Sequence, residues 1–271
     1  MEPSTHQELV DRHFDAYSEH WRDLYGDATL EGVIHQDRKA LTLAWIDELG
    51  LAPRSRVLEV GCGAGLLATD LAERGLVVRG IDTSERMIEL AEARAASLGL
   101  QDLVTFGTGD AHRIGSEPGS FRLVVALGVI PYLHTPVAAL IEMARVLDDD
   151  GRLLVSSDNR FRVNHIVDPR RTPLLPGRTQ LARAYHRARR APGPPNRFLS
   201  FAMVERTLRE AGFAVEKSVT LGYGPFTFFD RKLFSEERAI RIHRRLGALA
   251  ARHRLLARAG AQHLVLARRS S

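Results

Sequence analysis

Short apolar runs alternate along this 271-residue chain with longer segments whose apolar positions recur every three or four residues. Val57, Leu58 and Val60, then Val77, Val78 and Ile81, form runs suited to strands buried on both faces of a parallel sheet. Leu103–Phe106, Leu123–Val129 and Arg152–Ser157 continue the series. Between them, Leu66–Arg74, Glu85–Leu98 and the segment opened by Thr135 and Pro136 read as helices. Ser84 and Thr135 supply N-caps, Pro136 a first helical residue, and Gly75 and Gly99 the stops. Five strands alternating with helices through short loops predict a parallel α/β sheet.

The flanks differ. Residues 7–25 carry Leu9, Val10, Phe14, Tyr17, Trp21 and Tyr25 at helical spacing, and a second helix is predicted over 35–49. Residues 159–197 break the rhythm: they are rich in arginine, with some helix expected near 179–190, and end in Ala191-Pro192-Gly193-Pro194-Pro195. A helix over 201–211, a sixth strand over 214–220 and an aromatic loop, Gly222–Phe229, come next. A basic helix with Ile240, Ile242, Leu246, Leu249, Leu255 and Leu256 as its apolar positions then leads to a strand at His263–Ala267.

Chemistry concentrates at Glu59-Val60-Gly61-Cys62-Gly63-Ala64-Gly65. A glycine turn between a strand and a helix lets backbone approach a ligand closely and presents unpaired helix N–H groups. The G-x-G-x-G spacing departs from the G-x-G-x-x-G of dinucleotide folds. Glu59 would repel a pyrophosphate but suits a cationic ligand, and Asp82, ending the second strand, is placed for ribose hydroxyls. Cys62, the only cysteine, reads as a small lining residue rather than a nucleophile.

These markers resemble the class I S-adenosylmethionine-dependent methyltransferases over roughly residues 40–158. The resemblance implies a Rossmann-like, doubly wound sheet of seven strands with the last antiparallel, and S-adenosyl-L-methionine as cofactor. It divides the chain into an N-terminal helical lid (1–50), a cofactor-binding core (51–158), a basic insertion or substrate cap (159–197) and a C-terminal part of the sheet with a basic helix (198–271). Cofactor contacts are implied for Glu59, Gly61, Cys62, Gly63, Gly65, Asp82, Thr83, Met87, Asp110, Ala111 and Leu127, with Gly128 beside the methionine end. Tyr17, Trp21, His35 and His165 are expected to contact the substrate.

Methyl transfer to a hydroxyl needs a base. His134, after strand four, is the best placed candidate, with Tyr132 orienting the acceptor and His35 and His165 weaker alternatives. No H-E-x-x-H or carboxylate-rich metal spacing occurs, so no metal is expected. The expected reaction is O-methylation of a small biosynthetic acceptor. The alternatives are N- or C-methylation of a lipid-linked or anionic acceptor, or action on nucleic acid. Against the last, no Asn/Asp-Pro-Pro-Tyr/Phe motif follows strand four.

Charge sharpens the alternatives. Residues 1–158 hold 14 Lys+Arg against 26 Asp+Glu, whereas residues 159–271 hold 24 against 7. The basic half is expected to pair chiefly with the acidic half, within the protein or across a dimer, with contact to an anionic or membrane surface as the other reading. One cysteine, no run of 18 apolar residues and no basic-plus-apolar leader pattern in Met1–Gln7 lead to a cytoplasmic expectation. Oligomeric state is left open.

Overall fold

The computed structural model describes residues 3–16, 19, 24, 26–166, 168–172, 175–177, 180, 181 and 196–270. Its centre is a sheet with strands β1 (Arg56–Val60), β2 (Val77–Asp82), β3 (Val104–Thr108), β4 (Phe121–Ala126), β5 (Leu147–Asp158), β6 (Phe213–Leu221) and β9 (Gln262–Arg269). The order is β3-β2-β1-β4-β5-β9-β6, and β9 alone runs antiparallel to its neighbours. This is the seven-stranded, last-strand-antiparallel sheet expected from the sequence.

Alternation along the strands builds a core on each face. Leu58, Val60, Val124 and Ala126 face one side, where α5 (Pro136–Val146) and α6 (Phe201–Glu210) contribute Leu140, Met143, Val204 and Leu208. Val57, Leu123 and Val125 face the other, under α2 (Leu30–Glu48), α3 (Leu66–Glu73) and α4 (Glu85–Leu98). Leu43, Trp45, Ile46, Leu67, Leu71 and Ala95 fill that layer. Strands buried on both faces need near-continuous apolar sequence, which these have. Strand order reverses between β1 and β4, so a crevice opens at their carboxyl ends, where doubly wound sheets bind ligands.

Several local expectations change. Helix α1 spans Pro3–Ala16, while Tyr17, Trp21, Tyr25 and most of 179–190 lie outside the described residues. Strand β5 begins before the expected Arg152: Leu147 already pairs with Phe121, so Asp149-Asp150-Gly151 lies within the strand, and a register shift absorbs the extra residues. The aromatic loop contains a hairpin, β7 (Thr227–Phe228) and β8 (Arg231–Lys232). Its turn residues Phe229 and Asp230 have φ of 48° and 64°, the left-handed pair of a two-residue hairpin. The sequence lacks the usual Asn-Gly signal there. Tertiary contacts compensate: Arg170 donates to Asp230 at 2.9 and 2.7 Å and to the buried Asp168 at 2.9 Å, and its guanidinium lies 5.1 Å from the Phe229 ring centroid.

Helix α7 (Glu236–Ala250) needs two corrections. It stops before Leu255 and Leu256, because the chain must turn back to enter β9, where the Ala261 amide donates to the Gly222 carbonyl. Its apolar stripe is also narrower than the sequence suggested: Ala239 and His243 are buried, whereas Leu249 is 46% and Leu255 87% exposed. Among described residues, Arg162–Asp158, Lys217–Glu48 and Arg269–Asp149 bridge the two halves of the chain, but Arg241, Arg244, Arg245, Arg252 and Arg254 form no ion pair.

Candidate functional site

At the switch point lies a cavity of about 220 Å³. Most of the sequence-predicted cofactor residues meet there: Glu59, Gly61, Cys62, Gly63, Asp82, Thr83, Met87, Asp110, Ala111, Leu127 and Gly128 all line it. Gly65 does not, but it makes the turn. Its φ of 75° is left-handed, and an added Cβ would come within 2.8 Å of Phe106 and 2.9 Å of Ala91. Gly63 (φ 50°) differs, since a Cβ there would meet open space. That is the position where a bound molecule can lie against bare backbone.

The turn is held by Asp82. One carboxylate oxygen accepts from the Gly63 amide at 2.9 Å and the other from the Ser84 amide at 3.0 Å. Ser84 in turn caps α4 by accepting from the Met87 amide at 3.1 Å, which seats the buried Met87 against the cavity. Burial raises the Asp82 pKa, an effect the backbone N–H donors partly offset. Burial likewise pushes the Cys62 thiol well up, so it stays a neutral lining group.

Glu59 is the most perturbed of the lining acids. It is 5% exposed, its Oε2 has no hydrogen-bond partner, and burial pushes its pKa up to about 8. A buried carboxylate of this kind is paired when a cation enters and protonated otherwise. Asp110 behaves oppositely. Burial would raise it, but the amide and ring of His112, both donating at 2.8 Å, hold it below the usual carboxylate range.

The other side of the cavity is built by the flanks. Gln7, Val10 and Phe14 of α1 line it, and Phe14 meets Tyr132 edge-on with ring centroids 5.1 Å apart. His6 Nε2 lies 2.6 Å from the Tyr132 carbonyl and donates to it. Helix α2 adds His35, Arg38 and Lys39. His35 is buried; because a carbonyl only accepts, the ring donates from Nδ1 to the Glu31 carbonyl at 2.9 Å, which makes Nε2 its basic side. Tyr132 has its pKa pushed up to about 12, chiefly by burial, so it enters the site as a neutral donor.

His134 and His165 are not brought into this cavity. The His134 ring stacks on His112 at 3.8 Å and 11°, beside the rim, with its pKa lowered by burial and by His112. His165 is buried against Phe198, and its pKa is pushed down to about 3 by burial and by Arg162 and Arg171. Tyr17 and Trp21 lie outside the described residues.

Comparison with known proteins agrees with this geometry. Residues 58–155 match the family model of a methyltransferase domain. By this match residues 58–155 are a methyltransferase domain. The ubiquinone biosynthesis O-methyltransferase of Paracidovorax citrulli is 31% identical over 44% of this chain and 50% of its own length. That of Pseudomonas aeruginosa is 27% identical over 79% of this chain and 86% of its own. The chain thus spans about half the length of the first curated relatives it matches. In structure it is similar to magnesium protoporphyrin IX methyltransferase of Synechocystis PCC 6803, with a TM-score of 0.66 and 21% identity over 97% of this chain and 99% of that one.

Arg38 is a lining residue that the sequence did not single out. It is 5% exposed, and its Nη1 donates to Gln262 Oε1 at 3.3 Å. A signal existed: Ile34, Arg38 and Thr42 share the buried i, i+4, i+8 face of α2. An arginine on such a face is costly unless a ligand or network uses it. Gln262 and Ser156, whose hydroxyl accepts from the Gly128 amide at 2.8 Å, gave no signal at all.

Proposed function

We propose that this protein transfers a methyl group from S-adenosylmethionine to a hydroxyl of a small biosynthetic acceptor. One observation carries the reading: a buried carboxylate, Glu59, with an unpartnered oxygen opens onto a cavity edged by the bare backbone of Gly63. That pairing fits a ligand with a cationic end, and Arg38 fits that ligand's carboxylate. Asp82 and Gly63 would hold its ribose side, with Met87, Asp110 and Ala111 around the base. When bound, the cofactor supplies the activated methyl group; the protein aligns the acceptor and excludes water.

Helix α1, with Gln7, Val10 and Phe14, serves as the lid over the acceptor. Tyr132, neutral across the physiological range, donates a hydrogen bond and orients the acceptor oxygen. His35, whose Nδ1 is committed to the Glu31 carbonyl, is the lining group suited to accept the acceptor's proton at Nε2. The basic C-terminal half supports an anionic or lipid-linked acceptor. The names of the relatives, O-methyltransferases of ubiquinone biosynthesis, support oxygen as the methylated atom.

The test is a mass-spectrometric screen of methyl transfer from isotopically labelled S-adenosylmethionine to panels of phenols, alcohols and amines. Label in a hydroxyl compound, lost in His35→Ala but retained in His134→Ala, is the expected result. Label only in amines or carbon acids would overturn the choice of oxygen.

A further inference from the structure

Helix α7 carries a pattern that the cavity does not use. Arg238, Arg241 and Arg245 recur at steps of three and four, and Leu249 and Arg252 extend the same line. All five are exposed. The opposite side is anchored: Ala239 and His243 are buried, His243 Nδ1 accepts from the Tyr223 amide at 3.0 Å, and its Nε2 donates to Asp37 at 2.8 Å. The arginine line therefore points outward by construction, not by rotation of a loose helix. Arg241, Arg245 and Arg252 form no ion pair with any described residue. Beyond the helix, Leu255 is 87% exposed and flanked by Arg254.

We infer that this face docks on an anionic lipid bilayer. Arginines in one plane match a sheet of negative headgroups, and each one near such a surface strengthens binding by about fivefold. The leucines decide between polyanions. Leu249 and Leu255 gain nothing against a phosphodiester backbone, whereas at a bilayer they enter the headgroup–acyl boundary, as the apolar side chains of interfacial helices do. No described helix is long and apolar enough to cross a membrane, so contact would be at the surface. Asp37 sits on α2, the helix that supplies His35 and Arg38 to the cavity, so docking would hold the cavity within one helix layer of the lipid. The docking claim itself does not depend on the methyltransferase reading.

Vesicle co-sedimentation of the full chain tests it, using phosphatidylglycerol–phosphatidylcholine vesicles and phosphatidylcholine alone, at low and moderate salt. Binding is expected only to the anionic vesicles and is weakened by salt. Arg241→Glu with Arg245→Glu should lower it at least about 25-fold. The same reversals at Arg206 and Arg209 on α6, an equal change in net charge, should leave it nearly intact. Leu255→Ser should weaken it several-fold, with unchanged circular dichroism confirming the fold. The inference is overturned by absence of anionic-vesicle binding at low salt, by equal loss in both charge-reversed pairs, or by a nucleic acid duplex that displaces the vesicles while Leu255→Ser has no effect.

Discussion

Two sets of charged residues in this molecule obey different rules. Around the cavity, Glu59 and Arg38 are buried and Asp82 is half-buried, and each is there at a cost that only a ligand or a defined hydrogen-bond network offsets. On α7 and just beyond it, Arg241, Arg245 and Arg252 sit in water, where a charge costs little and an ion pair contributes little. These few ionisable groups withdrawn from water therefore say more about chemistry than a larger number of exposed ones. The arginines become informative only through their alignment and through the leucines between them.

The contrast can be broken most sharply at the glycine turn. Gly63→Val puts a β-branched residue at a φ of 50° and fills the open space above the backbone; Asp82→Ala removes the acceptor of the Gly63 and Ser84 amides. Each should weaken S-adenosylhomocysteine binding by about ten- to a thousand-fold. Unchanged calorimetric affinity in both would remove the cofactor assignment.

Glu59 comes next. Its folded pKa, about 8, lies above the ordinary 4.5, so its contribution favours the native state at low pH and is lost as pH rises through that window. Entry of a cation reverses the preference by stabilising the ionised form. Affinity for S-adenosylmethionine should therefore climb by up to roughly tenfold per pH unit between pH 6 and 8, with a proton released on binding. Glu59→Gln should flatten that profile and make the empty protein roughly 2–4 kcal/mol more stable at pH 8 than wild type. Buffer-dependent calorimetry and thermal melts at pH 5, 6.5 and 8 read both effects.

Arg38→Leu should reduce cofactor affinity by about tenfold, through loss of one charge-assisted hydrogen bond. It should leave the fold intact, since a leucine suits the buried face of α2. An unchanged dissociation constant would return Arg38 to a role in packing. The smallest effect belongs to His134→Ala. With its ring at the rim on His112, this variant should keep cofactor affinity within about twofold and stability within about 0.5 kcal/mol. A loss of 10²–10⁴ in turnover would instead restore His134 as the base.

What the sequence determined by itself is what short-range physics encodes. Apolar runs and helical periodicity located the five parallel strands and their helices, because burial on both faces or on one leaves its period in the chain. The E-x-G-x-G-x-G turn and Asp82 were legible because a backbone that approaches a ligand demands glycine at fixed spacing, and the acid lies one strand away. The sheet order came with the resemblance those residues carry. Tertiary structure alone decided the rest. Arg38 meets Gln262 across 224 positions, and Glu59 is a perturbed acid only because the fold buries it and brings the Asp82 and Asp70 carboxylates near, against the opposing charge of Arg38. Asp230 can hold a left-handed turn because Arg170 reaches it from 60 positions away. His134 and His165, well placed along the chain, are turned aside by packing on His112 and Phe198. Position along a strand end is a local property, whereas the direction a side chain faces and the water left around it are set by whatever the rest of the fold packs against it.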